Sequence, residues 1–193
     1  MTACHTSTLH QRIALFSICT LLALPVMAHN LTLNQTVPPT GVADKGELMY
    51  QNEQFSYQNW NSAQLTGKVR VIQHIAGRTS AKEMNDPLIG AIKAANLARE
   101  YYQTTTIVNT DDAILGTGPF VRSSLEESKK AFPWSQFIVD SHGNVRKAWQ
   151  LDAKSSAIVV LDKRGQVRYV KDGALSTQEV QQVMNLLPQL LKE

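Results

Sequence analysis

Cysteine is the residue that this sequence most clearly lacks. Its 193 residues include only Cys4 and Cys19, and both lie in the first 28 residues. The rest of the chain therefore cannot form an internal disulfide, and it has no thiolate, the nucleophile of thiol–disulfide exchange. The histidines beyond residue 28, His29, His74 and His142, fall short of the four ligands of a structural zinc site. The sequence predicts no metal and no cofactor.

An excess of charge of one sign is also missing. The chain has 19 Lys and Arg and 16 Asp and Glu, a formal net charge of +3, and its basic residues are scattered. The densest basic pair, Lys129-Lys130, adjoins Glu126-Glu127 on a predicted helix, where mixed charges indicate a solvated face. We therefore expect neither nucleic acid nor an anionic membrane as a partner.

Long apolar runs are confined to the beginning of the chain. Residues 13–27, IALFSICTLLALPVM, are fewer than the roughly 20 that span a bilayer, and Pro25 interrupts them. A polar start, this apolar run and a small residue at Ala28 are typical of a secretory signal peptide. We expect cleavage after Ala28, which removes residues 1–28 and leaves 29–193 as one domain without a membrane anchor. The alternative interpretation is an uncleaved anchor.

Beyond the signal, predicted strands alternate with predicted helices. Strand 69–75 carries apolar residues on both faces, so we expect it at the centre of a sheet. Ser176 and Glu179 form a capping box at the start of the last helix. The predicted elements, in order, are a hairpin over 42–48, a strand over 69–75, a helix from 80, a strand over 104–108, a helix over 119–131, hairpins at 139–146 and 161–168, and a helix from 176. This order predicts an α/β fold with a central mixed β-sheet flanked by helices.

The two last hairpins are predicted from one repeated pattern. VDSHGNVR from Val139 and LDKRGQVR from Leu161 both place a glycine three residues after an aspartate. The aspartate can accept hydrogen bonds from the following backbone, and the glycine tolerates positive φ, so each segment is interpreted as strand, turn and strand. The acidic ligands and closing glutamate of a calcium loop are missing.

The first helix contains a proline. Ser80 and Glu83 have the spacing of a capping box, and Pro87 falls about two turns further on. The helix either kinks at Pro87 or restarts there with Asp86 as its cap. Lys82 would pair with Asp86 four residues later.

Several segments resemble the thioredoxin-like superfamily, especially its periplasmic reductases and peroxiredoxin-type members. LTGKVRVIQHIA (65–76), FPWSQFIVDSHGNVRKAWQL (132–151) and SSAIVVLDKRGQVRYV (155–170) carry that likeness. More narrowly, WNSAQLTGKVRV, QHIAGRTSAKE, YQTTTIVNTDDA and DGALSTQEVQQVM are similar to the YtfJ family of bacterial periplasmic proteins. The resemblance implies a thioredoxin-like fold and a periplasmic location, and it implies no established activity.

The resemblance also implies which residues replace the redox site. TSAK stands where Cys-x-x-Cys would, with Thr79 in place of the attacking cysteine and Lys82 in place of the resolving one. Ser156 takes the position of the cis-proline, to within one residue. Because all three positions depart from the pattern, we expect no thiol oxidoreductase activity. We expect a binding or adaptor module for an unknown periplasmic protein or small ligand, using the former active-site face or the groove near Ser156.

The alternative is a small-anion binder or a non-redox enzyme at the same corner. Arg78, Thr79, Ser80 and Lys82 surround a predicted helix start, whose free N–H groups attract anions. Asp111 follows the next strand, where open α/β sheets place ligands, and would lie opposite. A structural interpretation explains the same corner, with Ser80 as the helix cap and Lys82 in solvent.

Three other features have competing interpretations. His74 on the central strand is expected to be buried, neutral and bonded to backbone rather than a ligand. Asp111 and Asp112 could hold a hard cation or act as acid and base, or they could cap and solvate a loop. Trp60, Trp134 and Trp149 are expected to pack in the core or at its rim, and the alternative is that they include a recognition surface.

Overall fold

The computed structural model describes Met1 and residues 29–193. Apart from Met1, the predicted signal peptide, with both cysteines, lies outside the described residues. In the described part of the chain, no helix has the length and apolar character that crossing a membrane takes.

Seven strands in this part of the chain form one mixed sheet with five helices around it. The strands are β1 Gly41–Gln51, β2 Gln54–Asn61, β3 Val69–Ala76, β4 Tyr102–Asn109, β5 Gln136–Asp140, β6 Ser156–Leu161 and β7 Val167–Asp172. The helices are α1 Thr79–Glu83, α2 Asp86–Ala95, α3 Gly118–Ala131, α4 Asn144–Trp149 and α5 Thr177–Lys192. The strand order is β2-β1-β5-β4-β3-β6-β7.

β3 lies inside the sheet, as its apolar residues on both faces predict. It pairs in parallel with β4, which pairs in parallel with β5, and it pairs antiparallel with β6. All of its residues except Gln73 are buried. Its side chains alternate between two faces of the sheet, and different elements cover the two faces.

One face, which we call the closed face, is sealed by α4 and by the chain that precedes β1. Trp149, fully buried, and Trp60, 2% exposed, pack there with Ile72 and Leu31 in one apolar cluster. Trp149 Nε1 donates to the carbonyl oxygen of Pro38 at 3.0 Å, which ties α4 to the N-terminal segment. The closed face therefore leaves little room beside its core.

The other face, which we call the groove face, carries α2, α3 and α5. α2 and α5 pack over Val71 and Ile158 in one cluster that includes Leu187. α3 packs separately over Val108 through Leu125. Because the two clusters do not merge, a groove stays open between α2 and α3.

The predicted hairpin over 42–48 is wrong. That segment belongs to β1, which pairs with β2, and the turn between the two strands lies at Asn52 and Glu53. Both turn residues have positive φ, 49° and 62°. Gly46 lies at a bulge where the register with β2 shifts, and its φ is 78°.

Only one of the two repeated Asp-x-x-Gly segments forms a hairpin. The segment 161–168 turns from β6 into β7, as predicted. The hairpin predicted at 139–146 is wrong, because α4 begins right after Gly143. Val145 and Trp149, four residues apart and fully buried, are the reason, since that spacing places both on one side of a helix.

The proline near the first helix marks a restart. α1 ends at Glu83, and α2 begins at Asp86 with Pro87 in its first turn. The predicted cap is wrong by one residue, because Asn85 occupies the cap position and its side chain makes no cap hydrogen bond.

The other predicted elements are confirmed. Strand 104–108 lies within β4, and helix 119–131 lies within α3. The capping box of α5 is formed in both directions: Glu179 N donates to Ser176 Oγ at 3.2 Å, and Ser176 N donates to the Glu179 carboxylate at 2.7 Å.

Candidate functional site

The corner between β3 and α1 is fixed by the loop that follows β4. Gly77 N donates to the carbonyl oxygen of Asn109 at 2.8 Å. A Cβ at Gly77 would lie 3.0 Å from the Cβ of Ala113, so the two segments approach as closely as glycine allows. Arg78 Nε donates to the carbonyl oxygen of Asp112 at 2.6 Å. The corner is therefore packed on the side of this loop.

Thr79, Ser80 and Lys82 are exposed on α1, which begins at Thr79. The predicted Ser80 cap is wrong, because Ser80 lies inside the helix and Arg78 holds the cap position without a side-chain cap bond. With only five residues, α1 is a single turn, so few aligned peptide dipoles add up at its beginning. The free N–H groups of this helix therefore give weak support to an anion site.

Lys82 does not form its predicted pair. Among the ion pairs found in residues 29–193, none joins Lys82 to Asp86 within 4.0 Å. Both residues instead line the end of the groove that adjoins this corner, beside Arg78 and Thr79. We call this end the upper end, or mouth, of the groove.

The groove runs between α2 and α3 across β3 and β4 and has a cavity volume of about 690 Å³. Apolar side chains form most of its walls. They include Ile89, Ile92, Phe120, Val121, Leu125 and Phe137. This volume is within the range of small-molecule sites, which hold roughly 300–1,000 Å³.

The floor of the groove is polar, although it belongs to two inner strands. Gln73 Nε2 donates to Thr106 Oγ1 at 2.8 Å, and the hydroxyls of Tyr102 and Thr104 lie 3.0 Å apart. Burial raises the pKa of Tyr102, so its hydroxyl keeps its proton. These floor groups are therefore hydrogen-bonded to one another.

At the opposite end of the groove, which we call the lower end, two cations lie over aromatic rings. Lys93 Nζ lies 4.7 Å from the ring centre of Phe132, and the guanidinium carbon of Arg99 lies 3.3 Å from that of Trp134. Phe132 and Trp134 meet edge to face at 5.7 Å. These contacts link the end of α2 to the chain after α3 and engage the two cations.

The charge of the groove is mostly positive. Its lining includes Arg78 and Lys82 at the upper end, and Lys93 and Arg99 at the lower end. Asp86 is the one carboxylate among the lining residues. A ligand with a negative group is therefore attracted to the groove. The attraction is strongest when this group reaches Arg78 and Lys82 at the mouth.

Ser156 lies under the corner and not at the surface. It is 1% exposed, its Oγ donates to the carbonyl oxygen of His74 at 3.1 Å, and it accepts from Asn85 Nδ2 at 2.6 Å. Its hydroxyl joins β6 to β3 and to the start of α2. Ser156 is therefore a buried contact within the fold, whereas Thr79 and Lys82 are exposed.

Asp111 and Asp112 do not face the groove. The Asp111 carboxylate lies 3.8 Å from Lys147 Nζ on α4. Asp112 Oδ2 accepts from Asn109 Nδ2 and from the backbone N of Lys154, both at 3.0 Å. Both carboxylates hold the loop after β4 to the elements around it. Among the described residues, no three or more His, Cys, Asp or Glu side chains are placed to share a metal ion.

His74 is buried on the closed-face side of β3. Burial lowers its pKa to about 4, against a smaller opposite effect of Asp112, so the imidazole is neutral at pH 7, as predicted. The predicted backbone bond is not found at Nε2, which has no hydrogen-bond partner among the described residues.

Sequence reasoning found the corner and missed the groove that extends from it. Its apolar wall residues have the spacing of an ordinary core face, so nothing in the sequence marks them as open. The available signal was in the floor, where Gln73, Thr104 and Thr106 place polar side chains on inner strands. The exposure of Ile114 and Phe120 also marks this region, but it is visible only in the structure.

Comparisons with known proteins agree with this architecture. Residues 31–190 match a family described as "Bacterial protein of unknown function (YtfJ_HI0045)". The Escherichia coli (strain K12) protein called "Uncharacterized protein YtfJ" is 65% identical over 174 residues, which are 90% of this chain and 95% of that protein.

Two solved structures share the fold at low sequence identity. A thiol-disulfide isomerase from Corynebacterium glutamicum aligns with a TM-score of 0.54 and 18% identity over 85% of this chain and 98% of its own. A thioredoxin-like superfamily protein aligns with a TM-score of 0.55 and 20% identity over 76% and 95%. At these identities the likeness concerns the fold, which is thioredoxin-like α/β, as expected from the sequence.

Proposed function

Because this chain belongs to the YtfJ_HI0045 family of bacterial proteins of unknown function, we propose that it is a non-redox binding protein of the periplasm. It acts as a binding or adaptor module on a thioredoxin-like scaffold. Its binding surface is the groove that begins at Arg78, Thr79 and Lys82.

The residues at the corner support a role without electron transfer. Thr79 begins α1 and Lys82 follows three residues later, the positions at which the thioredoxin pattern has its two cysteines. Neither a hydroxyl nor an ammonium group forms a mixed disulfide. The sequence from His29 onward contains no cysteine that could substitute for them.

The groove is the observation that carries the proposal. A cavity of about 690 Å³ opens at the corner, has mostly apolar walls and presents cations at both ends. Concave, mostly apolar clefts with a few polar groups are the usual form of ligand sites. An intact scaffold with an open cleft and no thiol is suited to binding.

A periplasmic location is supported by the signal-like run over 13–27 and by the way the fold begins after it. Asn30 N donates to the carbonyl oxygen of Trp149 at 3.2 Å, and Leu31 is 1% exposed. The first packed residues therefore follow the expected cleavage point at Ala28 directly. Cleavage there would remove no residue of the described core.

A site that combines Arg78 and Lys82 with Asp111 around one ligand is not favoured. Asp111 is engaged with Lys147 outside the groove, and Asp86 is the one carboxylate in the groove lining. A pair of carboxylates within reach of one ligand is therefore missing from these lining residues.

Two substitutions on α1 form a matched test. Thr79 lines the groove, whereas the neighbouring Ser80 is exposed without lining it. The exported protein, immobilised and exposed to periplasmic extract, should retain a reproducible set of small molecules or proteins. Thr79→Trp should reduce that retention at least about tenfold, whereas Ser80→Trp should leave it within about twofold.

The same experiment can contradict the proposal. Equal retention by both variants would show that the groove mouth is not the binding surface. A second measurement tests the proposed lack of thiol oxidoreductase activity. The exported protein should show no turnover in an insulin-reduction assay with dithiothreitol. Turnover above the uncatalysed rate would disprove the non-redox role.

A further inference from the structure

We infer that the groove takes a long-chain carboxylate, a single-chain amphiphile whose head group lies at Arg78 and Lys82 and whose alkyl chain lies between α2 and α3. This inference rests on the proposed function, because it names the ligand class of the same groove.

The floor of the groove favours an alkyl chain over a peptide. Gln73 bonds to Thr106, and Thr104 bonds to Tyr102, so the polar groups on the floor already have partners. A peptide in the groove would have to pair its own amide groups with side chains of the walls such as Ser124 and Ser128, and every amide left unpaired there would be costly. An alkyl chain brings no such groups.

The strands beneath the groove exclude another route for peptide binding. β4 is paired on both sides, with β3 and β5, and β3 is paired with β4 and β6. A peptide that adds a strand to a sheet needs a free edge. The groove offers side chains of inner strands and no free main-chain edge.

The length and the closed lower end of the groove suit a chain that enters tail first. The floor follows β4 from Tyr102 to Val108, which is about 20 Å at the usual rise of a strand. Lys93 on Phe132 and Arg99 on Trp134 bridge its lower end. The tail would end against this bridge.

The charges fix the direction of the ligand. Lys93 and Arg99 lie over aromatic rings at the lower end, whereas Lys82 at the mouth is exposed and has no such ring contact among the described residues. Arg78 Nε donates to the carbonyl oxygen of Asp112, so the two terminal nitrogens of the guanidinium can donate to a head group. Both cations outweigh the neighbouring Asp86.

Apolar side chains extend from the groove to the surface. Ile114 is 54% exposed and Phe120 is 77% exposed, and both line the mouth. Large exposed side chains of this kind are usual at binding surfaces. The upper part of an alkyl chain would cover them as it passes to the head group.

Myristate is the probe for the test, measured by isothermal titration below its critical micelle concentration. The exported protein should bind one myristate per chain. Butyrate, which has the same head, should bind at least about 100-fold more weakly, because most of the buried methylene groups are missing. Inorganic phosphate should bind as weakly, and tetradecyltrimethylammonium should bind about tenfold more weakly than myristate because its charge is opposite.

Variants of adjacent or comparable residues locate the ligand. Ser124→Trp, inside the groove on α3, should weaken myristate at least about tenfold, whereas Ser123→Trp, on α3 outside it, should change the affinity less than about twofold. Lys82→Glu should weaken myristate about fivefold to tenfold and should not weaken tetradecyltrimethylammonium. Lys192→Glu, on the last turn of α5, is the charge control.

Each outcome separates this inference from the proposed function. No saturable myristate binding would overturn the inference, and so would equal affinity in Ser124→Trp and Ser123→Trp. If an acidic apolar peptide bound and myristate did not, with the peptide lost in Ser124→Trp, the inference would fail while the binding function stood. If neither bound and Thr79→Trp changed no retained component, both would fail.

Discussion

The two faces of the sheet differ in how completely they are covered. On the closed face, Trp60 and Trp149 belong to one continuous cluster that reaches the N-terminal segment. On the groove face, the cluster of α2 and α5 is separate from the cluster of α3, and a cavity of about 690 Å³ lies between them. Close packing provides stability, and a persistent gap gives up some of it. The comparison indicates that the closed face is one continuous core, whereas the groove face is packed beneath its helices and open between α2 and α3.

The largest expected effect comes from removing a side chain of the closed face. Trp149→Ala should lower the free energy of unfolding by about 3–5 kcal/mol, because a fully buried indole is replaced by a cavity. Phe120→Ala, at the mouth of the groove, should change it by no more than about 0.5 kcal/mol, since that ring is 77% exposed. Urea unfolding followed by circular dichroism measures both. Similar losses for the two variants would mean that the faces do not differ in this way.

The next effect is the dependence of the unfolding free energy on pH through His74, on the closed-face side of β3. The folded pKa of His74 is about 4, below the unfolded value near 6.5, so the unfolded state binds the proton more readily. The contribution of His74 is therefore fully present above pH 6.5 and is lost as pH falls to 4, a change of about 3 kcal/mol.

The pH effect is measured as a difference between two proteins. Unfolding free energies of wild type and of His74→Gln should be compared between pH 7 and pH 4. The wild type should lose about 3 kcal/mol more than the variant over this interval. Parallel pH profiles would show that the protonation of His74 is not coupled to unfolding.

A substitution inside the groove should have the least effect on the free energy of unfolding. Ser124→Trp places an indole in open space, so it should change the free energy of unfolding by no more than about 0.5 kcal/mol, as Ser123→Trp should. The same bulk forced into a filled core would cost about 1–3 kcal/mol. A loss of that size in Ser124→Trp alone, measured by urea unfolding, would mean that the groove is closed in solution.

The fold was predictable wherever the sequence has a local signal. The apolar pattern of 69–75 predicted an inner strand, and Ser176 with Glu179 predicted the beginning of α5. Both signals depend on neighbours in the sequence: side-chain alternation along a strand and a cap three residues from its partner.

The two Asp-x-x-Gly segments show where such signals stop. Asp140 accepts from the backbone N of Val145, at the start of α4, whereas Asp162 accepts from the backbone N of Gln166, just before β7. The aspartate and the glycine are equivalent in both. The residues that follow decide the outcome, since Val145 and Trp149 repeat with helical spacing, and Val167 and Tyr169 alternate as in a strand.

The candidate site was predictable at its corner and not in its depth. Thr79 and Lys82 were found by their position relative to the redox pattern, and both line the groove. The distance between α2 and α3 depends on contacts between residues far apart in the sequence, such as Lys93 with Phe132. Asp111 was placed on the correct edge of the sheet, but it lies outside the groove, 3.8 Å from Lys147 Nζ.

The distribution of the three tryptophans makes the protein suitable for fluorescence without a label. Trp60 and Trp149 are 2% and 0% exposed, so their indoles are shielded from solvent and quenchers. Trp134, 44% exposed beneath the Arg99 guanidinium, ends the groove and is the emitter open to collisional quenching by iodide or acrylamide. A change in emission on adding any compound therefore reports the state of the lower end of the groove, while the two shielded indoles provide a constant internal reference.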